Sequence, residues 1–306
     1  MTDPNTAPRR YSIDSHAFDA PPLPSGLYIV STPIGNLRDI TIRALQTLAA
    51  ADIIACEDTR TTRVLLRHYG IAVPLIAYHE HNAEAQRPKI LEALDSGKSL
   101  ALVSDAGTPL ISDPGYRLVA SVTEAGHAVI PIPGASAILA GLVAAALPTD
   151  AFFFAGFLPT RTVGRTKRIA ALAAVPGTLV FYESPHRTAE TLADLAATLG
   201  ADRPATLARE LTKTFETHRR GTLGSLAAEL ADEPTPKGEI VIMVGPPEAG
   251  TTEPDDLDSL LLRLLATLPV KDAAQQAAAT TGLPRRDLYQ RALALKTGEE
   301  TDDQED

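Results

Sequence analysis

Residues 27–56 read LYIVSTPIGNLRDITIRALQTLAAADIIAC and contain one strand–helix–strand unit. The apolar runs at 27–30 and 53–56 are short and uninterrupted, which is typical of strands that are buried on both faces of a sheet. Residues 37–50, which lie between these runs, are predicted to be helical. The unit therefore predicts two parallel strands that are joined by a crossover helix.

The same alternation continues through the first half of the chain. Further strands are predicted at 75–77, 100–103 and 128–132, and further helices at 59–69, 83–94, 116–124 and 135–146. Repeated strand–helix alternation with fully apolar strands indicates a parallel sheet that is covered by helices on both faces.

A second set of elements begins after Pro148. Its predicted strands are 152–154, 178–182, 205–208, 214–220 and 240–244, and its predicted helices are 165–173, 186–198 and 223–230. The short gap between 205–208 and 214–220 predicts a hairpin, so this second sheet should be mixed. The expected fold class is α/β, with an N-terminal parallel sheet and a C-terminal mixed sheet in two α/β domains.

The two ends of the chain differ from this pattern. Residues 1–24 contain five prolines and predict a disordered leader. After a linker at 246–256, helices are predicted at 257–268, 271–280 and 285–295, followed by an acidic tail. The last two helices have helix-turn-helix spacing, but a generic helical hairpin is the preferred interpretation. The predicted boundaries are 1–24 for the leader, 25–148 and 149–246 for the α/β domains, 247–298 for the linker and helical appendage, and 299–306 for the tail.

Composition places the chain among ordinary soluble proteins. It has 306 residues, of which 44% are hydrophobic and 22% are charged. No apolar run reaches the roughly 18 to 20 residues that span a bilayer, and the N-terminus does not have the pattern of a signal peptide. The single cysteine, Cys56, lies in an apolar run and is interpreted as a small buried hydrophobic residue. We therefore expect a cytoplasmic protein with no membrane contact.

The net charge of −10 argues at first against nucleic acid as a partner. Residues 246–306, however, hold 13 acidic and 6 basic side chains, so most of the excess negative charge is in this segment. The rest of the chain is nearly balanced. Net charge therefore neither supports nor excludes RNA binding.

The loops that follow the predicted strands are candidate ligand sites, because ligands of open parallel sheets bind beyond the carboxyl ends of the strands. The loop STPIGNL at 31–37 lacks the glycine pattern of dinucleotide sites and the lysine of a P-loop. The segment EDTR at 57–60 offers two carboxylates for a ligand, or a cap for the next helix. The segment SDAGTP at 104–109 is the most informative, because its small residues permit close approach of a ligand and Asp105 can accept hydrogen bonds.

Three later loops also carry polar groups. The segment PGASA at 133–137 leads into a helix, and FYESPHR at 181–187 offers the aromatic face of Tyr182 and the cation of Arg187. The segment ARELTK at 208–213 has mixed charge, which an exposed hairpin tip would also show. His79 and His81 share one face of a strand, but no third ligand stands at a suitable spacing, so no metal site is predicted.

Eight of these segments occur in an order that resembles a known family. They are TPIGNL at 32–37, EDTR at 57–60, YHEHN at 78–82, SDAGTPLISDPGYR at 104–117, PGASA at 133–137, FYESPHR at 181–187, ARELTK at 208–213 and KGE at 237–239. Together they resemble the small-subunit ribosomal RNA methyltransferases, which are tetrapyrrole-methylase-like enzymes that use S-adenosylmethionine (SAM). The resemblance runs from about residue 26 to residue 244. Ser31 and Ala135 stand where the family usually has proline, and the leader is outside the family pattern.

The resemblance implies two α/β domains with SAM in the cleft between them, and a homodimer. It implies 2′-O-methylation of the ribose of a decoding-centre cytidine in 16S rRNA, with the 30S subunit as the expected partner. The matching positions also imply a set of cofactor-binding residues. These are Pro33, Ile34, Gly35, Ser104, Asp105, Ala106, Gly107, Thr108, Ser136, Ala137 and Tyr182.

Placement at strand ends adds hypotheses for catalysis and for RNA contacts. A ribose hydroxyl is a weak nucleophile, so a base or a charge stabiliser is expected, and Lys213 or Glu210 facing Glu57 or Asp58 is the candidate arrangement. The candidate phosphate contacts are Arg43, Arg60, Arg187 and Lys213. Two alternatives remain, a methyltransferase that acts on a tetrapyrrole or another small molecule, and a SAM-binding protein without catalysis.

Overall fold

The computed structural model describes residues 9–112, 115–247, 254–266, 268–281 and 283–297. The chain divides into two compact units, Met1–Gly245 and Pro246–Asp306. The first unit holds both large sheets, and the second is helical.

The first elements of the chain form a β-hairpin, so the prediction of a disordered leader is wrong for the residues that pair here. Strands β1 (Arg10–Ile13) and β2 (His16–Asp19) are antiparallel. Tyr11 is only 4% exposed and stacks on Phe18 with a centroid distance of 5.5 Å. The Ser12 amide donates to the Tyr69 carbonyl at 2.7 Å. The proline count misled because the prolines flank the two strands and the strands themselves contain none.

The first large sheet is parallel throughout, as predicted. Its strands lie in the order β5-β4-β6-β3-β7. They are β3 (Gly26–Val30), β4 (Ile53–Cys56), β5 (Leu75–Ala77), β6 (Ser99–Val103) and β7 (Val129–Ile132). Alternate residues of these strands supply two hydrophobic clusters, one on each face. This explains why the strands are apolar without interruption.

Five helices accompany this sheet. They are α1 (Ile42–Ala50), α2 (Thr59–His68), α3 (Ala83–Asp95), α4 (Tyr116–Glu124) and α5 (Ala137–Ala144). The helix predicted over 37–50 is interrupted, because a 3₁₀ helix at Leu37–Asp39 comes before α1. The Thr41 hydroxyl accepts from the Ala44 amide at 3.1 Å and so caps α1.

The second large sheet is mixed, which confirms the prediction. Its strands lie in the order β11-β10-β12-β9-β8, and only the β8–β9 pair is parallel. They are β8 (Phe152–Phe157), β9 (Thr178–Glu183), β10 (Pro204–Arg209), β11 (Thr217–Thr222) and β12 (Ile240–Val244). The predicted hairpin is the β10–β11 pair. Helices α6 (Thr162–Ala170), α7 (Thr188–Leu199) and α8 (Leu223–Ala231) belong to this half.

Helix α5 joins the two halves of the first unit. Ile138 and Leu142 of α5 pack with Val241 and Met243 of β12 in one buried cluster. A Cβ on Gly141 would lie 3.1 Å from the Met243 sulfur, so a larger side chain here would require the methionine to shift. The link is therefore a tight apolar contact.

The second unit contains three helices, α9 (Pro254–Leu265), α10 (Val270–Thr281) and α11 (Arg285–Thr297). Its core includes Leu261, Ala277 and Leu288. Helix α9 begins inside the predicted linker, so the linker is shorter than expected. The predicted acidic tail lies outside the described residues. Of the helices in the described ranges, none has the length and apolar character needed to cross a membrane.

Replacing Tyr11 by alanine tests whether the hairpin belongs to the folded core. Because the ring is almost fully buried, we expect Tyr11→Ala to lower the free energy of unfolding by about 3 kcal/mol. Phe18→Ala is the control. Because Phe18 is 44% exposed, its replacement should lower the free energy of unfolding by about 1 kcal/mol or less. Urea unfolding of both variants measures the difference. Equal losses would contradict the packing described here.

Candidate functional site

A cavity of about 440 Å³ opens at the edge where the strands of the first sheet end. This first cavity receives the loops after β3, β6 and β7 from one half, and residues of β8, β9 and β12 from the other. The residues that line it are Ile34, Asp105, Ala106, Gly107, Thr108, Ile111, Ser112, Ser136, Ala137, Phe157, Tyr182, Glu183, Ser184, Pro185, Gly238, Glu239, Ile240 and Val241.

Backbone hydrogen bonds fix the wall of the first cavity. Thr32 and Gly107 exchange two of them, with N–O distances of 2.9 and 3.1 Å. Gly107 has a φ of +81°, and a Cβ there would lie 3.2 Å from Ile34 Cγ2. The Thr108 hydroxyl donates to the Ala135 carbonyl at 3.2 Å. The loops after β3, β6 and β7 are therefore connected, and glycine permits the close contact.

Eight of the eleven predicted cofactor-binding residues line the first cavity. They are Ile34, Asp105, Ala106, Gly107, Thr108, Ser136, Ala137 and Tyr182. Pro33, Gly35 and Ser104 do not line the first cavity but line a neighbouring one. The Ser104 hydroxyl is turned into its own loop, where it donates to the Ala106 carbonyl at 3.2 Å.

The sequence analysis missed several residues of the first cavity. Phe157 ends β8, and its ring lies 5.7 Å from that of Tyr182. The start of β12 also lines the cavity, although the KGE segment received no role. Strand β12 is antiparallel to β9, so its first residues, and not its last, lie at the edge where β9 ends. A search restricted to the carboxyl ends of strands could not find them.

A second cavity of about 390 Å³ adjoins the first. It is lined by the loop after β3, by the side of α2 and by two charged residues from the second half. These residues are Thr32, Pro33, Ile34, Gly35, Leu37, Thr61, Thr62, Val64, Leu65, Ser104, Asp105, Ala106, Lys213 and Glu239. Ile34, Asp105, Ala106 and Glu239 line both cavities, so two ligands could lie side by side.

Lys213 is held between two carboxylates. Its ammonium nitrogen lies 2.8 Å from Glu210 Oε1 and 3.1 Å from Glu239 Oε2. Two glycines make this arrangement possible: a Cβ on Gly35 would lie 2.4 Å from Lys213 Cγ, and one on Gly238 would lie 2.2 Å from Glu210 Cδ. Both glycines have positive φ angles, +149° and +95°.

These contacts determine the charges in the cluster. Burial lowers the pKa of Lys213, but the hydrogen bonds to Glu210 and Glu239 outweigh it, and the pKa is raised overall. The hydrogen bond from Lys213 lowers the pKa of Glu210, and the Glu239 amide adds to this effect. At neutral pH the cluster therefore contains the Lys213 ammonium and the Glu210 carboxylate. Lys213 suits charge stabilisation rather than proton removal.

Glu57 and Asp58 are placed differently from Lys213 and Glu210. Neither lines the first or the second cavity. Asp58 caps α2, because its carboxylate accepts from the Arg60 amide at 2.8 Å, which confirms the capping alternative. The Asp58 amide donates to Asp105 Oδ1 at 3.1 Å. The structure thus does not bring these two carboxylates to face Lys213.

The predicted phosphate contacts lie in different environments. Arg43 and Arg60 are exposed on α1 and α2. The Arg187 guanidinium is engaged inside the fold, where it donates to the Leu158 carbonyl at 2.9 Å and to Glu183 at 3.1 Å. Lys213 lines the second cavity.

Arg63 and Arg67, which the sequence analysis did not single out, are also exposed on α2. Helical geometry places them with Arg60 on one outward face, over about 10 Å of helix. This face carries three cations, of which Arg60 is paired with Asp58 at 2.8 Å, and it belongs to the helix that forms one side of the second cavity.

A metal site is not evident in the described part of the chain. No group of three or more His, Cys, Asp or Glu residues is arranged there to hold a metal ion. His79 and His81 do not share a strand face as predicted, because β5 ends at Ala77, and their rings are 6.0 Å apart.

Comparison with protein families gives two matches. The model of tetrapyrrole (corrin/porphyrin) methylases matches residues 26–227, and the model of the RsmI C-terminal HTH domain matches residues 251–296. The second match corrects the preference for a generic helical hairpin, because helices α10 and α11 belong to a helix-turn-helix domain.

Curated relatives cover most of the chain. A protein of Mesorhizobium japonicum named ribosomal RNA small subunit methyltransferase I is 58% identical over 277 residues, which is 90% of this chain and 94% of that protein. A protein of Escherichia coli O157:H7 with the same name is 49% identical, over 87% of this chain and 94% of that protein.

Solved structures support the fold. Diphthine synthase matches with a TM-score of 0.57 and 16% identity, over 72% of this chain and 89% of that one. Uroporphyrin-III C-methyl transferase from Thermus thermophilus, complexed with S-adenyl homocysteine, matches with a TM-score of 0.51 and 20% identity, over 71% and 96% of the two chains. At these identities the likeness concerns the fold alone.

The lowered pKa of Glu210 predicts a pH-dependent contribution to stability. A carboxyl group whose pKa is lower in the folded state stabilises the fold above its unfolded pKa of 4.5, and this contribution is lost as pH falls through the folded value. Glu210→Gln should therefore be less stable than wild type at neutral pH, and the difference should shrink at about pH 3. Urea unfolding at both pH values measures it.

The control for this prediction is Glu92→Gln. Glu92 is exposed on α3, and its side chain forms no ion pair with the residues that the structure describes. Its effect on unfolding should be small at both pH values. If Glu210→Gln lowers the free energy of unfolding by the same amount at both pH values, the charge of Glu210 is not what stabilises the fold.

Proposed function

The chain belongs to the ribosomal RNA small subunit methyltransferase I family of tetrapyrrole (corrin/porphyrin) methylases and is an rRNA methyltransferase, and we propose that it methylates the 2′-hydroxyl of a decoding-centre cytidine in 16S rRNA, with SAM as the methyl donor. We further propose that it acts in the cytoplasm, as a homodimer, on rRNA within the 30S subunit. The proposal rests on the two adjoining cavities, which share Ile34, Asp105, Ala106 and Glu239.

The first cavity fits a SAM molecule. Its volume of about 440 Å³ is within the usual range for small-molecule sites, roughly 300 to 1,000 Å³. Its walls are mainly apolar, with Asp105 and Ser136 as polar groups and Tyr182 as an aromatic face. SAM supplies a methyl group that is activated by its sulfonium. We propose that the eight predicted residues that line this cavity contact it.

The second cavity suits the acceptor ribose. Methyl transfer from a sulfonium is an in-line displacement, so most of the acceleration should come from alignment of the hydroxyl with the methyl group. Adjoining cavities provide that alignment. The Lys213 ammonium lies at the second cavity, where it stabilises negative charge that develops on the attacking oxygen.

The exposed face of α2 extends the site toward RNA. Arg60, Arg63 and Arg67 are exposed, and α2 lines the second cavity with Thr61, Thr62, Val64 and Leu65. We propose that these arginines and Arg43 contact phosphates next to the target nucleotide. A local group of positive charges can bind phosphates even though the net charge of the chain is negative.

Transfer of label from radioactive SAM to 30S subunits tests the proposed function. The subunits come from cells that lack this gene, and nucleotide mapping follows. We expect label on one decoding-centre ribose, and we expect Asp105→Asn to weaken SAM binding because Asp105 is a polar group of the first cavity. Lys89→Ala, on the exposed face of α3, is the control and should leave both measurements unchanged.

The other outcomes separate the alternatives. Labelling of a porphyrin but not of 30S or naked 16S rRNA would replace the RNA substrate by a small molecule. SAM binding without transfer to any of these acceptors would indicate a protein that binds SAM without catalysis. Label on a base rather than on a ribose would contradict the 2′-O target.

The arginines of α2 predict a change in the salt dependence of RNA binding. The logarithm of the binding constant falls linearly with the logarithm of the salt concentration, and each lost phosphate contact makes this slope shallower by roughly 0.7 to 0.9. Arg63→Ala combined with Arg67→Ala should therefore reduce the magnitude of the slope by about 1.4 to 1.8. Filter binding to 30S subunits at several salt concentrations measures the slope. The control is the double variant Lys89→Ala, Lys98→Ala, which removes two exposed cations elsewhere. Equal slopes for both double variants would remove α2 from the RNA-binding surface.

A further inference from the structure

Glu239 stands where the two cavities meet. It lines both of them, and its side chain is 71% exposed. Its backbone is fixed on both sides, because its amide donates to Glu210 Oε1 at 2.9 Å and its carbonyl accepts from the Glu210 amide at 2.9 Å. The Glu239 carboxylate thus projects from a rigid position toward the place where donor and acceptor would be in contact.

Three carboxylates line the cavities, those of Asp105, Glu183 and Glu239, and they differ in what surrounds them. The Glu183 side chain is fully buried and receives hydrogen bonds from Ser184, Arg187 and Thr191. Asp105 accepts from the Asp58 amide and lies among the residues proposed to bind SAM. Glu239 contacts Lys213 through Oε2, and no other residue that the structure describes forms a hydrogen bond or an ion pair with its carboxylate.

Glu210, although adjacent, is a poor candidate for proton removal. Its side chain is 17% exposed, and Oε1 already accepts from Lys213 and from the Glu239 amide. It lines neither cavity. Lys213 is an ammonium group and has no lone pair for a proton. The accessible acceptor in this cluster is therefore Glu239.

We propose that Glu239 is the catalytic residue that accepts the proton of the attacking ribose hydroxyl, an inference that rests on the proposed function. The 2′-oxygen forms the new O–CH₃ bond while the S–CH₃ bond breaks and its electron pair passes to sulfur. The hydroxyl proton moves to the Glu239 carboxylate, which then releases it to solvent. Charge and atoms balance without a further reactant.

In this scheme Lys213 also positions Glu239, in addition to the charge stabilisation proposed above. Its contact with Glu239 Oε2 holds that carboxylate at the boundary of the two cavities, and Lys213 is itself held by Glu210 and packed against Gly35. The two glycines, Gly35 and Gly238, are required because the Lys213 and Glu210 side chains occupy the space of their missing Cβ atoms.

Single-turnover methyl transfer to 30S subunits tests the assignment. Glu239→Gln keeps the shape and a hydrogen-bond acceptor for Lys213 but cannot take a proton, so we expect the rate to fall by about 100-fold or more. SAM affinity should stay within about threefold of wild type. Glu229→Gln, an exposed surface change on α8, is the matched control and should transfer at the wild-type rate.

Chemical rescue separates proton transfer from a structural role. Glu239→Ala leaves space beside Lys213, and added formate should restore part of its rate, whereas Lys213→Ala should not respond to formate. A Glu239→Gln rate within about threefold of wild type overturns the inference. A slow Glu239→Ala that formate does not rescue overturns it as well. Wild-type protein that labels no ribose overturns the proposed function itself, and this inference with it.

Discussion

The two backbone hydrogen bonds between Thr32 and Gly107 hold the site together. They connect the loops after β3 and β6, and the Thr108 hydroxyl adds the loop after β7. Backbone bonds of this kind do not depend on side-chain rotamers, so the wall they build is rigid before any ligand arrives. The positive φ of Gly107 is the condition for this bridge, since its missing Cβ leaves room for Ile34.

The second half of the first unit completes the site through close approach. Helix α5 packs on β12, and the Lys213 side chain crosses over Gly35 to reach two carboxylates. Each contact passes close to a glycine, Gly141 or Gly35, where an added side chain would crowd the neighbouring residue. These contacts place the Lys213 ammonium and the exposed Glu239 carboxylate beside the two adjoining cavities. Methyl transfer needs alignment more than covalent help, and such a cleft supplies it.

Charge acts locally in this protein. The chain has a net charge of −10, yet the exposed face of α2 carries three arginines and no acidic residue within the helix. Arg60 pairs with Asp58, the N-cap residue of the helix, whereas Arg63 and Arg67 form no ion pair with the residues that the structure describes. A whole-chain sum could not show this, because phosphate groups respond to the charges within about a Debye length, roughly 10 Å.

The sequence by itself determined the α/β class, the parallel and mixed sheets and several strand-end loops that border the first cavity, because apolar periodicity and loops at strand ends are local signals. Eight of the eleven residues carried over from the family resemblance line that cavity. Tertiary structure alone decided the rest. The start of β12 reaches the site only because that strand runs antiparallel to β9, which brings Glu239 beside Lys213. Likewise, the buried hairpin at Tyr11 depends on which surfaces meet, and spacing along the chain does not specify such a contact.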